Sequence, residues 1–321
     1  MEFPLPWRER TGLALSEVEG VRGKLTVNNN FAIQTKDLTK RFGRNLAVDH
    51  LNLQVRQGSV FAFLGRNGAG KTTAIRILLN LLDRTSGEAY VLGLEPSRKD
   101  TEIKRRVGYV AEAQRMYEWM TVSQLAWFCS GFYPTWDHAY ADDLMKAMDL
   151  PPNEKLRNLS RGTQAKVALL LAMAHRPELL ILDQPTAGLD VVVRRNFLEG
   201  VIDLIQQEGR TVFFSSHLVH EVERVADWVG IIDAGRLVMC KPIEELKAGV
   251  KRINAIFEDT PPTIRVDGLL SSEAAGRQVR LTVQDFSDDT LAQVRRHNPR
   301  SVDVEDMSLE DIFVALVGEK E

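Results

Sequence analysis

Nine consecutive residues, Gly65-Arg66-Asn67-Gly68-Ala69-Gly70-Lys71-Thr72-Thr73, have the types and spacing that hold a phosphate chain. They match the pattern G-x-x-x-x-G-K-[ST]. Glycines at 65, 68 and 70 let the backbone turn tightly and approach an anion. The N–H groups of such a loop converge as a nest, and the N-terminus of the following helix adds its dipole. Lys71 offers a point charge to β- and γ-phosphates. The Thr72 hydroxyl is an oxygen ligand suited to Mg²⁺. Alone, this motif serves an ATPase, a kinase or a GTPase equally well.

Further segments narrow the chemistry. Leu179-Leu180-Ile181-Leu182-Asp183 is an apolar strand ending in an acid. An aspartate there can hold Mg²⁺ beside Thr72. Gln184-Pro185-Thr186-Ala187-Gly188-Leu189-Asp190 follows it directly. Upstream stands Leu159-Ser160-Arg161-Gly162-Thr163-Gln164, and downstream Ser215-Ser216-His217. Near the start, Phe42-Gly43 follows a Lys-Arg pair.

In this order and spacing, from about Phe31 to Met239, the five segments resemble the ATP-binding cassette family. They look like its aromatic loop, Walker A loop, signature, Walker B with D-loop, and switch histidine. The resemblance implies an α/β P-loop NTPase cassette that takes ATP and Mg²⁺. It implies that Phe42 stacks on adenine and that Gly65 to Thr73 hold the phosphates. Thr72, Asp183 and Glu112 would serve the metal. His217 would contact the γ-phosphate and the attacking water. Ser160 and Gly162 would cap the γ-phosphate of a second subunit, since cassettes of this family pair head-to-tail. The helix after Ser160 would then point its positive end at that anion. Homo- and heterodimers both satisfy the pattern.

Four positions depart from the family pattern. Gln184 occupies the place of the usual glutamate that orients or deprotonates water. An amide can hydrogen-bond water but has no carboxylate to take its proton. Loss of a general base costs on the order of 10² to 10⁴ in rate. A naturally slow enzyme, a degenerate member of a heteromer and an engineered trap all account for it. Glu112 stands at the Q-loop position, with Gln114 a weaker candidate. Arg161 replaces the first signature glycine, and Thr163 the signature glutamine.

Elements must position these residues. Ser59 to Leu64 reads as a buried strand before the loop, and Lys71 to about Leu82 as a helix after it. Strands are expected at 31–35, 51–55, 178–183, 211–215 and 229–232, separated by helical patterns. That alternation argues for a largely parallel sheet. The stretch from Thr121 to Leu159 reads as mostly helical, punctuated by Pro134, Pro151 and Pro152. Residues 1–29 show no periodicity and stand as an unassigned appendage. The expected domains are a cassette over 30–248, with a helical subdomain at about 113–162, and a small α+β domain over 249–321. Within the latter, strands are expected at 253–257, 278–283 and 301–304, with helices at 289–297 and 309–317.

Bulk properties bound the rest. The chain has 321 residues, 44% hydrophobic and 26% charged, with a net charge of −3. That balance lacks the basic field expected of a nucleic-acid partner. The two cysteines, Cys129 and Cys240, read as buried small hydrophobes in a reducing compartment. No apolar run approaches the ~20 residues of a membrane span, and the N-terminus lacks a signal-peptide pattern. A membrane role therefore calls for a transmembrane permease on a separate chain, with this chain cytoplasmic on the inner face of the membrane.

The tail Met307 to Phe313 and the segment Phe132 to Asp137 resemble bacterial drug- and antibiotic-export subunits. Arg115 to Trp127 is the expected groove for the permease, with Met116, Tyr117, Trp119 and Met120 as its apolar contacts. Two rival classes remain at this stage. A translation or repair cassette ATPase would carry a second cassette or long heptad runs, and neither is present in the sequence. A regulator that binds ATP without turnover is compatible with Gln184.

Overall fold

The computed structural model describes residues 25, 27–113, 115–190, 194, 198, 200, 202 and 209–318. The N-terminal appendage, apart from its last few residues, and Gln114 lie outside them.

Three sheets organise the chain. The central one has six strands: β4 (Val60–Leu64), β6 (Val107–Val110), β7 (Leu179–Asp183), β8 (Thr211–Ser216), β9 (Trp228–Asp233) and β10 (Arg236–Pro242). Their order is β10-β9-β4-β8-β7-β6. All neighbours are parallel except β9 and β10, which form a hairpin. Strands buried on both faces read as continuous apolar runs, and Val60–Leu64 and Leu179–Asp183 are buried throughout.

An antiparallel sheet lies on one face. It joins β1 (Phe31–Phe42), β2 (Asn45–Leu51), β3 (Gln54–Arg56) and β5 (Ser86–Val91). The expected strand 31–35 lengthens into β1, which runs on to Phe42 and forms a hairpin with β2 from Asn45, whereas the expected strand 51–55 is split between the end of β2 and β3. Gly43 turns it with φ of 56°, a value glycine adopts without steric cost. Phe61, Phe63 and Phe213 point towards this sheet and α1 (Lys71–Leu78), making one core. Val60, Ala62, Leu182 and Phe214 point the other way. They pack with α3 (Val122–Ser130), α4 (His138–Ala147) and α5 (Arg161–Met173).

Local signals explain several boundaries. Pro96 opens α2 (Pro96–Arg106), where a missing N–H costs nothing. Thr121 and Gln124 form a reciprocal capping box for α3. Ser160 caps α5 by accepting the Thr163 N–H. Helix α1 stops at Leu78 rather than at Leu82, as Leu79 leaves helical geometry and Asn80 turns at φ of 52°.

After α6 (Val219–Val225) and α7 (Ile243–Gly249) comes the third sheet. It comprises β11 (Lys251–Ile256), β12 (Leu269–Ala275), β13 (Gln278–Val283) and β14 (Ser301–Asp306), ordered β12-β13-β11-β14. With α8 (Asp288–Arg295) it encloses its own small core around Ile253, Leu281 and Val294. The last helix, α9 (Leu309–Val317), leaves that core. Its Leu309, Ile312, Phe313 and Val317 join Val219 and Val222 in the cassette core. Among the described residues no helix is long and apolar enough to cross a membrane.

Candidate nucleotide site

The parallel register brings three strand ends to one edge. Leu64 pairs with Ser216, and Asp183 pairs with Ser215. The phosphate loop leaves β4, Gln184 leaves β7 and His217 leaves β8, all at their carboxyl ends. In open α/β sheets that edge is where ligands sit.

The loop after β4 is tightly determined. Gly70 precedes α1 at φ of 108°, and a Cβ there would lie 2.3 Å from the Ala47 carbonyl oxygen. Only glycine satisfies both conditions. Lys71 is buried, and its Nζ donates to the carbonyls of Gly65 at 2.7 Å and Arg66 at 2.9 Å. Burial pulls its pKa down, opposed by the negative charge of Asp183 and Glu112. The cleft beyond has a volume of about 410 Å³, with Asn67, Thr72, Glu112, Gln184, Arg194 and His217 among its walls.

Asp183 is buried at the centre of a hydroxyl cluster. Its Oδ1 accepts from Thr72 Oγ1 at 3.1 Å and from Ser215 Oγ at 2.7 Å. Its Oδ2 is buried with no hydrogen-bond partner among the described residues. An unmatched buried carboxylate oxygen is costly unless a cation meets it. An aspartate oxygen beside a threonine hydroxyl is the hard-oxygen set that suits Mg²⁺, so these residues fit the expected metal.

Gln184 begins a left-handed turn at φ of 47°. Such a conformation at a non-glycine residue costs about 1–3 kcal/mol and persists where surrounding contacts impose it. Here the Gln184 N–H donates to Ser215 Oγ at 3.0 Å, and its carbonyl accepts from Ala187 N–H at 3.0 Å. Its side-chain Oε1 lies 2.8 Å from His217 Nδ1. An amide oxygen only accepts, so this contact puts the proton on Nδ1.

The remaining expected residues lie elsewhere. Phe42 is exposed at the tip of the β1–β2 hairpin, its ring centroid 5.0 Å from Lys40 Nζ. Ser160 and Gly162 stand at the start of α5, exposed and half-buried respectively, outside the cleft lining. A Cβ on Gly188 would come within 3.4 Å of Arg161 Nη1, so the substituted signature arginine lies against the segment after β7. Of the four expected groove contacts, Met120 is a core residue and Met116 packs against the core, whereas Tyr117 and Trp119 are exposed. Cys129 and Cys240 are half-buried rather than fully enclosed. Burial still pushes the Cys240 thiol up to about 11.

The sequence reading gave no separate role to Ser215, Thr186, Arg194 or Glu221. Two hydroxyls, Ser215 and Ser216, directly after the apolar run Val212-Phe213-Phe214 are the signal that marks this cluster.

Fold and site together define a P-loop cassette. The family model described as ABC transporter matches residues 48–187. The chain is 28% identical to the ABC transporter ATP-binding protein YtrB of Bacillus subtilis, covering 90% of this chain and 99% of that one. It is 37% identical to the bacitracin transport ATP-binding protein BcrA of Bacillus licheniformis, covering 67% and 71%. Among solved structures, the ATP-binding cassette MJ0796, a dimer bound to ADP and Pi, superposes with a TM-score of 0.59 at 21% identity, covering 66% of this chain and 98% of that one. The chain belongs to the ABC transporter family, as an ATP-binding subunit.

Proposed function

We propose that this chain binds Mg²⁺-ATP in the cleft at the ends of β4, β7 and β8 and couples binding and hydrolysis to export through a separate permease. The observation that carries this reading is the meeting of Lys71, Thr72, Asp183, Gln184 and His217 at one sheet edge. The loop from Gly65 to Thr73 holds the phosphates, and Phe42 stacks on adenine. Thr72, Asp183 and Glu112 would hold the metal. When bound, Mg²⁺ neutralises charge on the β- and γ-phosphate oxygens. Ser160 and Gly162 act on the ATP of a second cassette, in a homo- or heterodimer.

In hydrolysis, water attacks the γ-phosphorus and the bond to the β–γ bridging oxygen breaks, yielding ADP and inorganic phosphate. His217 and Gln184 sit where they can orient that water. Neither is a carboxylate, so turnover is slow. A second reading, a subunit that binds and dimerises without turnover, is favoured by Gln184 itself.

In the proposed organisation residues 30–248 form the cassette and 249–321 an accessory region on the inner face of the membrane, its last helix α9 packing back into the cassette core. The permease docks at the segment from Arg115 to Trp127, where the aromatics Tyr117, Trp119 and Trp127 are exposed. The name of the BcrA relative supports export of an antibiotic. Charge reversal at Arg115 that left complex assembly intact would count against this docking face.

Binding is tested by titrating the purified chain with a fluorescent ATP analogue and Mg²⁺. Lys71→Ala should weaken affinity by about tenfold to a hundredfold, the worth of a charge-assisted hydrogen bond. Unchanged affinity would overturn the assignment of the cleft.

A further inference from the structure

Glu221 is a buried acid, 6% exposed, on the first turn of α6. It belongs to none of the five motifs. Its carboxylate accepts from Thr186 Oγ1 at 3.2 Å to each oxygen and from Ser216 Oγ at 3.0 Å. Arg194 Nε lies 3.5 Å from its Oε1, and Arg194 Nη2 donates to the Leu189 carbonyl at 2.9 Å. Two hydroxyl donors and a nearby cation compensate this buried carboxylate, and removing it takes the charged acceptor away from the Thr186 and Ser216 hydroxyls.

The partners locate its effect. Thr186 stands two residues after Gln184, and Ser216 immediately precedes His217. The Ser216 hydroxyl also accepts the Leu218 N–H at 3.0 Å. One carboxylate is thus bonded to both chain segments whose side chains meet in the 2.8 Å contact between Gln184 and His217. Those segments leave different strands, β7 and β8.

We propose that Glu221 is a positioning residue that sets the separation of the residue at 184 from His217, and with it the placement of the attacking water. This rests on the ATPase reading above. Glu221 touches no reacting atom, so its loss should act on the rate of chemistry and leave nucleotide binding near its original strength. A purely structural acid would lower stability and the number of folded sites but leave the rate per site unchanged.

The test uses the full chain carrying Gln184→Glu, where turnover is fast enough to read. Phosphate release is normalised to ATP-binding sites counted by titration, and thermal stability is followed in parallel. Adding Glu221→Ala should lower kcat per site by about tenfold to a hundredfold, the scale of a misplacement near 1 Å. KM for ATP should stay within about threefold. Thr186→Val should show the same split, and Thr186→Ser, which keeps the hydroxyl, should restore the rate. If Glu221→Ala does not fold, the Val and Ser pair at 186 decides. An unchanged kcat per site, or equal rates for Val and Ser, overturns the proposal. If the Gln184→Glu parent binds ATP but releases no phosphate, the hydrolytic reading fails and the proposal falls with it.

Discussion

Ser215 donates to Asp183 Oδ1 at 2.7 Å across adjacent parallel strands, and the same hydroxyl accepts the Gln184 N–H at 3.0 Å. One small side chain therefore orients the Asp183 carboxylate, the proposed metal ligand, and fixes the left-handed turn after it. Second-layer partners of a ligand typically change metal affinity 10–100-fold. Ser215→Ala should weaken Mg²⁺ binding to the ATP complex by about that much, while Mg²⁺-free ATP affinity stays unchanged. Titration of nucleotide with and without Mg²⁺ checks this. Equal loss in both would mean that Ser215 supports the loop and not the carboxylate.

Asp183→Asn should act in the same direction and more strongly. The substitution keeps the shape but removes the charge of the buried carboxylate, and Oδ2 has no other partner among the described residues to lose. The expected readout is loss of the Mg²⁺ enhancement of ATP binding. Retention of that enhancement would move the metal away from Asp183.

His175 sets a limit on acid stability. It is buried, neither ring nitrogen has a hydrogen-bond partner among the described residues, and its ring stacks on Tyr133 at 4.1 Å. Burial depresses its pKa from 6.5 to about 4. The unfolded chain therefore takes up a proton below pH 6.5 that the folded chain refuses until pH 4. Stability present above pH 6.5 is lost as pH falls between those values, on the order of 2 kcal/mol after solvent screening. Urea unfolding at pH 7 and pH 5 should show this drop, and His175→Phe should flatten it. An equal drop in the variant would assign the acid sensitivity elsewhere.

The last helix should be part of the cassette's folding unit. Ile312 is fully buried in the cassette core, and the Arg66 guanidinium in the phosphate loop donates to the Gly318 carbonyl. Ile312→Ala should cost about 2–5 kcal/mol and lower the midpoint of the cassette transition itself. A calorimetric scan in which only a small separate transition moved would show the tail to be independent.

Legibility in the sequence followed locality. The phosphate loop, its strand and its helix lie within about twenty consecutive residues, and each carries a local signature. Asp183, Gln184 and His217 were legible because strand ends and motif neighbours mark them. The path of α9 was not. Its apolar spacing at Leu309, Ile312, Phe313 and Val317 predicts a buried face, but its partners Val219 and Val222 lie some ninety residues earlier. Strand β12 was missed because most of its residues are exposed and it lacks apolar alternation. Glu221 was illegible for a related reason: an acid on a short amphipathic helix reads as surface until Thr186 and Ser216 fold around it. Met120 misled in the opposite sense, since an apolar residue among exposed aromatics carries no mark of which way it points.

The most direct measurement is steady-state phosphate release by the purified chain and by Gln184→Glu under saturating Mg²⁺-ATP, alone and with its permease. A carboxylate at 184 would supply the proton acceptor that the amide lacks. The account predicts matched ATP affinity and a rate higher by on the order of 10² to 10⁴ for the glutamate variant. Equal rates in the two proteins would contradict it.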